Sequence, residues 1–371
     1  MYRVITRIIA IITVAAMLFL FVSCGSISDI TTQNTNIPDK TKFDKVQKKL
    51  TDYFDKYYND TFSGSILISS HGKILLSKGF GIANYEKGIP NTPDTSFNIA
   101  SLTNQFTAMG IMILSDRGLL NIKDNIGKYI AGIDHGNEIT IHHLLSQTSG
   151  IDDSIFEQDS IKNVTSGLTP VKKIEALNGK KFELDFEPGV ATFCCNTNYL
   201  LLGYIIEKVS GESYEEFINK NIFKPLEMDN SGYYHEDVND DNHAVGYSSL
   251  SPKPVKADMK GIEYAYAAGG LYSSVEDLYK WDQALYTDKL IKKQTLDKVF
   301  AKYTNSYGYG WYISDDKEGV IAQIEGVANG ANTFIIRYIG KNQLIILLSN
   351  FEGGIVSSPI PYIESVLKEL E

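Results

Sequence analysis

A serine hydroxyl is a feeble nucleophile at neutral pH unless a neighbouring base takes its proton. The stretch IASLTNQFTAMG, Ile99 to Gly110, puts Ser101 at a helix start with Asn104 three residues on. That offset sets the two side chains on one helical face, and Asn104 cannot take a proton. Ser101 is therefore either a candidate nucleophile without its base or an ordinary helix N-cap. Cys194 and Cys195 are the other reactive side chains. A thiol, with an ordinary pKa of about 8.5, becomes nucleophilic beside a positive charge, and the local sequence supplies none. His142-His143 lacks the one-face spacing that His-x-x-x-His offers a metal. HEDVNDDNH, His235 to His243, is rich in donors but lacks the glycine turn and final glutamate of a calcium loop, so it reads as an acidic surface loop. No metal site and no cofactor is expected.

These residues need a frame to position them. Phe43, Val46, Leu50, Tyr53 and Phe54 recur at spacings of three and four, which predicts an amphipathic helix over Lys40 to Tyr58. GSILISS (Gly64 to Ser70) and KILLSKGFG (Lys73 to Gly81) flank His71-Gly72 as a hairpin. The helix at Ser101 runs to Arg117 and stops at Gly118. A helix over Asn198 to Ser210 ends at Gly211, and Ser213-Tyr-Glu-Glu216 has the capping-box pattern for the next one. Ser274-Val-Glu-Asp277 does the same for the helix through Trp281. From Tyr307 the pattern becomes strand: GYGWYIS, then TFIIRYI and QLIILLS joined through Gly340-Lys341-Asn342. Ser358 to Leu370 predicts a last helix. Strands near both ends with helices between them predict an α+β domain, residues 40–371: an antiparallel sheet flanked by N- and C-terminal helices, with a helical insertion. The sheet part is placed at about 40–105 and 260–371, the helical part at about 106–259.

With 371 residues, 43% of them hydrophobic, the chain can bury a large core, and a net charge of −10 argues against nucleic acid as a partner. Arg3 and Arg7 precede an apolar run that closes on Ser23-Cys24-Gly25. This is the pattern of an export signal, residues 1–24. Its end is similar to a bacterial lipobox, with Cys24 as the lipid-attachment residue, although Phe21 stands where leucine is usual. An anchor helix or an ordinary cleaved signal are the alternatives. Residues 25–39, polar and without periodicity, read as a tether. The expected location is the extracytoplasmic face of the cell membrane, lipid-anchored, or otherwise secreted. If Cys24 carries lipid, the adjacent Cys194 and Cys195 could close only a strained vicinal bridge.

Several ordered stretches carry a resemblance to the serine β-lactamase and penicillin-binding-protein-like hydrolases, in particular the class C β-lactamase, D,D-peptidase and esterase branch. They are FNIASLTNQFTAMGI, ITIHHLLSQTSGI (Ile139 to Ile151), EPGVATFCCNTNYLLLGYIIEKVSG (Glu187 to Gly211), AAGGLYSSVEDLYKWDQAL (Ala267 to Leu285) and YGYGW (Tyr307 to Trp311). The resemblance implies the β-lactamase-like fold and three motifs around one cleft. Where the family has Ser-x-x-Lys, this chain has Ser101-Leu102-Thr103-Asn104. Where it has Tyr-x-Asn, this chain has Cys194-Cys195-Asn196. Where it has Lys or His, any residue, then Gly, this chain, aligned through NGANTF, has Ile324-Glu325-Gly326. The nucleophile, Asn196 and Gly326 remain, while every implied proton carrier is gone. The resemblance also implies an oxyanion hole from the backbone N–H groups of Ser101 and Val327, which side-chain changes leave in place. Glu325, one residue along a strand from the lost position, would point to the opposite face.

Three functions follow. The first is a largely non-catalytic relative that binds a cell-wall peptide, a β-lactam, another acyl small molecule or a protein partner as sensor, decoy or protective factor. The second is a serine hydrolase acylating at Ser101 through another base. The third is a structural envelope protein.

Overall fold

Phe43, Val46, Leu50 and Phe54 are buried along one side of helix α1 (Lys40–Tyr57), which Asp39 caps by accepting from the Thr41 N–H at 3.3 Å. In this computed structural model the described residues are 39–58, 61–235, 241–250, 253–259, 262, 265–304, 306–353 and 356–371. The export signal, Cys24, nearly all of the tether and the middle of the His235–His243 loop lie outside them. Among the described residues no helix is long and apolar enough to cross a membrane.

Strands β1 (Gly64–Ser70) and β2 (Lys73–Phe80) form the expected hairpin, and β3 (Tyr312–Asp316), β4 (Gly319–Ala328), β5 (Ala331–Tyr338) and β6 (Gln343–Ser349) complete an antiparallel sheet ordered β3-β4-β5-β6-β1-β2. The first and last thirds of the chain meet where Gly64 pairs with Ser349. Side chains alternate between the faces. Leu67, Ile335, Leu344, Ile346 and Leu348 join a core shared with the helical part, whereas Ile66, Ile68, Ile336, Ile345 and Leu347 pack against α1 and helix α7 (Ile360–Leu367). Burial on both faces is why residues 66–68 in β1 and 344–348 in β6 are apolar without alternation.

On the other face lie α2 (Thr103–Asp116), α3 (Ile141–Leu145), α4 (Asn196–Ser210), α5 (Tyr214–Ile218) and α6 (Val275–Ala284). Every residue of α2 from Thr103 to Leu114 is buried, so this helix shows no polar face. Gly118 and Gly211, at φ +72 and +74, end α2 and α4 as expected. The region between residues 106 and 259 also holds short strands. Gly232–Tyr233 joins Leu271–Ser273, which pairs with Phe97–Asn98, and these pieces are too short to leave a period-two signature.

Three local expectations change. Ser274 caps α6 by accepting from the Asp277 N–H at 3.2 Å, but Asp277 does not reach back. Its carboxylate accepts instead from the Asn230 N–H, the Ser231 hydroxyl and Lys280. Tyr307 to Trp311 is a turn, not strand. Gly310 is left-handed at φ +80, and a Cβ there would stand 2.8 Å from the Asn104 carbonyl, so the turn can press onto α2. Finally, the C-terminal helix begins at Ile360 and closes with a 3-10 turn, Lys368–Leu370.

His142 and His143 belong to the start of α3. Thr140 and His143 form a reciprocal capping box at 3.3 and 3.2 Å, and His142 Nδ1 meets the Tyr309 hydroxyl at 2.7 Å. Burial lowers both imidazole pKa values below the usual 6.5, with the His143 and Lys123 charges adding to the effect at His142. A folded pKa below the unfolded one means the unfolded chain binds protons more readily, so this contribution is present above about pH 6.5 and is lost as pH falls. Urea midpoints should drop between pH 7.5 and 5. The slope should flatten in H142Q/H143Q, and an unchanged slope in that variant would exclude these histidines as its source.

Candidate functional site

Ser101 sits in a 3-10 turn, Ala100–Leu102, that feeds directly into α2. Ala100 is held at φ +46, an uncommon conformation for a residue with a side chain, and its N–H donates to Asn98 Oδ1 at 2.8 Å. Such strain amounts to about 1–3 kcal/mol and persists where surrounding structure over-determines it. Strand β4 crosses beside this turn. A Cβ on Gly326 would lie 2.7 Å from the Ile99 carbonyl and 3.0 Å from the Ser101 nitrogen, so glycine is what permits the approach. The Thr333 hydroxyl fastens the junction, 3.1 Å from the Ile99 carbonyl and 3.2 Å from that of Gly326.

Two hollows meet at Ser101 and Val327. The smaller, about 340 Å³, is bordered also by Asn196, Leu200, Ile262 and Ala268. The larger, about 560 Å³, is bordered by Tyr312, Gln323, Ile324, Glu325 and Phe334. The fold thus brings Ser101, Asn196, Ile324 and Val327 to one cleft, with Gly326 against the Ser101 backbone. Ile324 is buried, and Glu325 beside it is exposed, as strand alternation requires. Glu325 nevertheless borders the larger hollow, a placement that the alternation argument alone missed. A further hollow of about 770 Å³, between Tyr53, Tyr57, Tyr58 and Tyr362, lies on the α1 and α7 side of the sheet.

Asn104 does not line either Ser101 hollow; it is 7% exposed in the first turn of α2, and its Oδ1 has no hydrogen-bond partner. Its side chain and that of Tyr199 hydrogen-bond with Tyr307, whose buried hydroxyl stays protonated because desolvation raises its pKa. Cys194 Sγ is 2.7 Å from the Tyr312 hydroxyl. Although Cys194 as a residue is exposed, crowding desolvates its sulfur and raises the thiol pKa, with the Tyr312 hydrogen bond acting in the opposite direction. Cys195 is buried, its pKa also raised by burial and then by Asp153, to which its Sγ donates at 3.0 Å. Both cysteines are free thiols in their protonated form.

Asp153 is the polar residue that sequence reasoning missed. Its carboxylate accepts from the Asn196 N–H at 3.1 Å, the Thr197 N–H at 2.8 Å and the Thr197 hydroxyl at 2.9 Å, capping α4 from outside. Gln147 secures the same loop, accepting from the Cys195 N–H at 3.1 Å and from Asn198 Nδ2 at 2.5 Å. Both lie within or just after the quoted ITIHHLLSQTSGI stretch, but their partners are more than forty residues away. Tyr312 was equally unmarked. Among the described residues no cluster of histidine, cysteine or carboxylate side chains is placed to hold a metal.

A six-stranded antiparallel sheet with helices on both faces, and a serine at a strained turn beneath a strand glycine, define the serine β-lactamase and penicillin-binding-protein class. The family model described as Beta-lactamase matches residues 50–364, and the chain belongs to that family. It is 34% identical over 299 residues to PbpX of Bacillus subtilis (strain 168), spanning 79% of this chain and 72% of that protein. It is 32% identical over 337 residues to Penicillin-binding protein 4* of the same organism, spanning 84% of this chain and 72% of the relative. The octameric penicillin-binding protein homologue from Pyrococcus abyssi superposes with a TM-score of 0.73 at 31% identity, covering 88% of this chain and 77% of that one.

Proposed function

We propose that this chain is a membrane-anchored, extracytoplasmic member of the family that holds an acyl ligand, such as a cell-wall peptide, in the Ser101 cleft without efficient turnover. One observation carries the reading: among the described residues lining the two hollows there is no lysine, arginine or histidine. Asn104, Cys194 and Ile324 occupy the positions of the family's proton carriers. An amide cannot act as base, a thiol with a raised pKa is a poor one, and an aliphatic side chain is none. The basic residues, apolar run and Cys24 at the N-terminus support export and lipid attachment. A protein partner could use the same cleft as a sensor or decoy surface. A second reading, slow acylation at Ser101, is favoured by the strained Ala100 turn and the converging Ser101 and Val327 backbone. Such donors and binding alone leave about 10³- to 10⁴-fold over water in a broken triad.

The test is intact mass on the full chain in detergent, incubated with a penicillin and with an uncharged serine-reactive phosphonate, beside Ser101→Ala. The expected result is no stoichiometric adduct on the unaltered chain. A stoichiometric adduct that disappears in Ser101→Ala would overturn the non-catalytic reading and establish the second.

A further inference from the structure

The charge inventory of the cleft reaches beyond whether it reacts. Among the described lining residues, ionisable side chains are limited to Glu325 and Tyr312. Tyr312 stays neutral, its hydroxyl pKa raised by burial and then by Cys194. The remaining polar side chains at the cleft, Ser101, Asn196 and Gln323, carry no charge. Leu200, Ile262, Ala268, Ile324, Val327 and Phe334 make much of the wall apolar.

The other source of positive character would be a helix N-terminus. One such end, that of α2, opens at the Ser101 turn and favours a carbonyl oxygen there; the other, that of α4 at Asn196, is already occupied by the Asp153 carboxylate on the Asn196 and Thr197 N–H groups. A ligand approaching Asn196 therefore meets a neutralised helix end. Polar atoms of a ligand meet the uncharged side chains of Ser101, Asn196, Gln323 and Tyr312, the Ser101 and Val327 backbone, and a carboxylate wall at Glu325. A ligand carboxylate would have to leave water for apolar wall beside a like charge, with no cation among the described lining residues to compensate.

We propose that the cleft selects uncharged acyl ligands, amides or esters with apolar flanks, and rejects those bearing a free carboxylate beside the bound carbonyl. This rests on the preceding reading of the cleft as an acyl-ligand site, and it names the class of ligand: amidated or esterified peptides rather than free acids.

The experiment is a matched-pair titration of the full chain in mild detergent by ligand-observed NMR. The probes are N-acetyl-leucyl-alanine and its C-terminal carboxamide, each with L and D residues. The carboxamide of the preferred enantiomer should bind at least about tenfold more tightly than its acid. Glu325→Gln should narrow that gap, and Gln323→Lys, at a partly exposed wall position, should close or reverse it. Equal or tighter binding of the acid to the unaltered chain, or a gap that neither substitution moves, overturns the selectivity while leaving the acyl-ligand site standing. Binding of neither probe overturns the acyl-ligand site and this inference with it.

Discussion

Asn104→Lys, Cys194→Tyr and Ile324→His introduced together should raise hydrolysis of an uncharged activated ester by about 10²- to 10⁴-fold, the range general acid–base assistance supplies. Each single substitution should give less than about tenfold, because groups that act as a unit are grossly non-additive. The geometry adds a requirement. Cys194 Sγ already stands 2.7 Å from the Tyr312 hydroxyl, so a phenol at position 194 collides with it. Tyr312→Phe belongs in the combination. Position 104 is enclosed near Tyr307 and Tyr199, so the new ammonium must take its partners from those hydroxyls and from the Asn196 side of the cleft. The gain should vanish when Ser101→Ala is added. If Asn104→Lys alone restores most of the rate, the joint dismantling of the site is wrong, and the remaining machinery was intact but for one amine.

The sequence carried much of this site because its motifs are short and local. The Ser101 to Asn104 offset, the Cys194 to Asn196 step and the Ile324 to Gly326 step can each be read within four residues, and sheet and helices together bring Ser101, Asn196 and Ile324 to one cleft. Long runs were legible for the same reason: α1 declares itself through Phe43, Val46, Leu50 and Phe54, and β1 and β6 through apolar stretches bounded by turns. Asp153 was illegible because its meaning depends on contact across more than forty residues, with the start of α4. Tyr307 to Trp311 resembles strand in sequence because its alternation of aromatic residues and glycine imitates a period of two. A left-handed Gly310 pressed against Asn104 decides otherwise. Glu325 shows a third limit: alternation says which way a side chain leaves a strand, but not that the cleft extends round to meet it.

Arg337 should produce the largest single loss of stability. It lies in β5, 1% exposed, with Nε donating to Asp282 Oδ1 of α6 at 2.7 Å, and this pair joins the sheet to a helix through the core. Its guanidinium lies 4.9 Å from the Tyr286 ring centre, 4.8 Å from Phe300 and 5.9 Å from Trp311, and its Nη1 has no hydrogen-bond partner. Burial pushes the Asp282 carboxyl upward while Arg337 draws it back. Arg337→Met keeps much of the volume but leaves a buried carboxylate with only Gln283 Nε2, at 2.8 Å, as a side-chain partner. Removing one partner of a buried pair costs about 3–5 kcal/mol, whereas replacing both by packed apolar groups is often neutral or stabilising. Chemical denaturation should therefore show a large loss in Arg337→Met and most of it recovered in Arg337→Met/Asp282→Leu. If the double variant is as unstable as the single, the loss comes from the aromatic stack around the guanidinium and not from an uncompensated charge. Because Trp311 in that stack adjoins Tyr312 at the cleft, ligand affinity measured on the single variant should fall with stability and return in the double one.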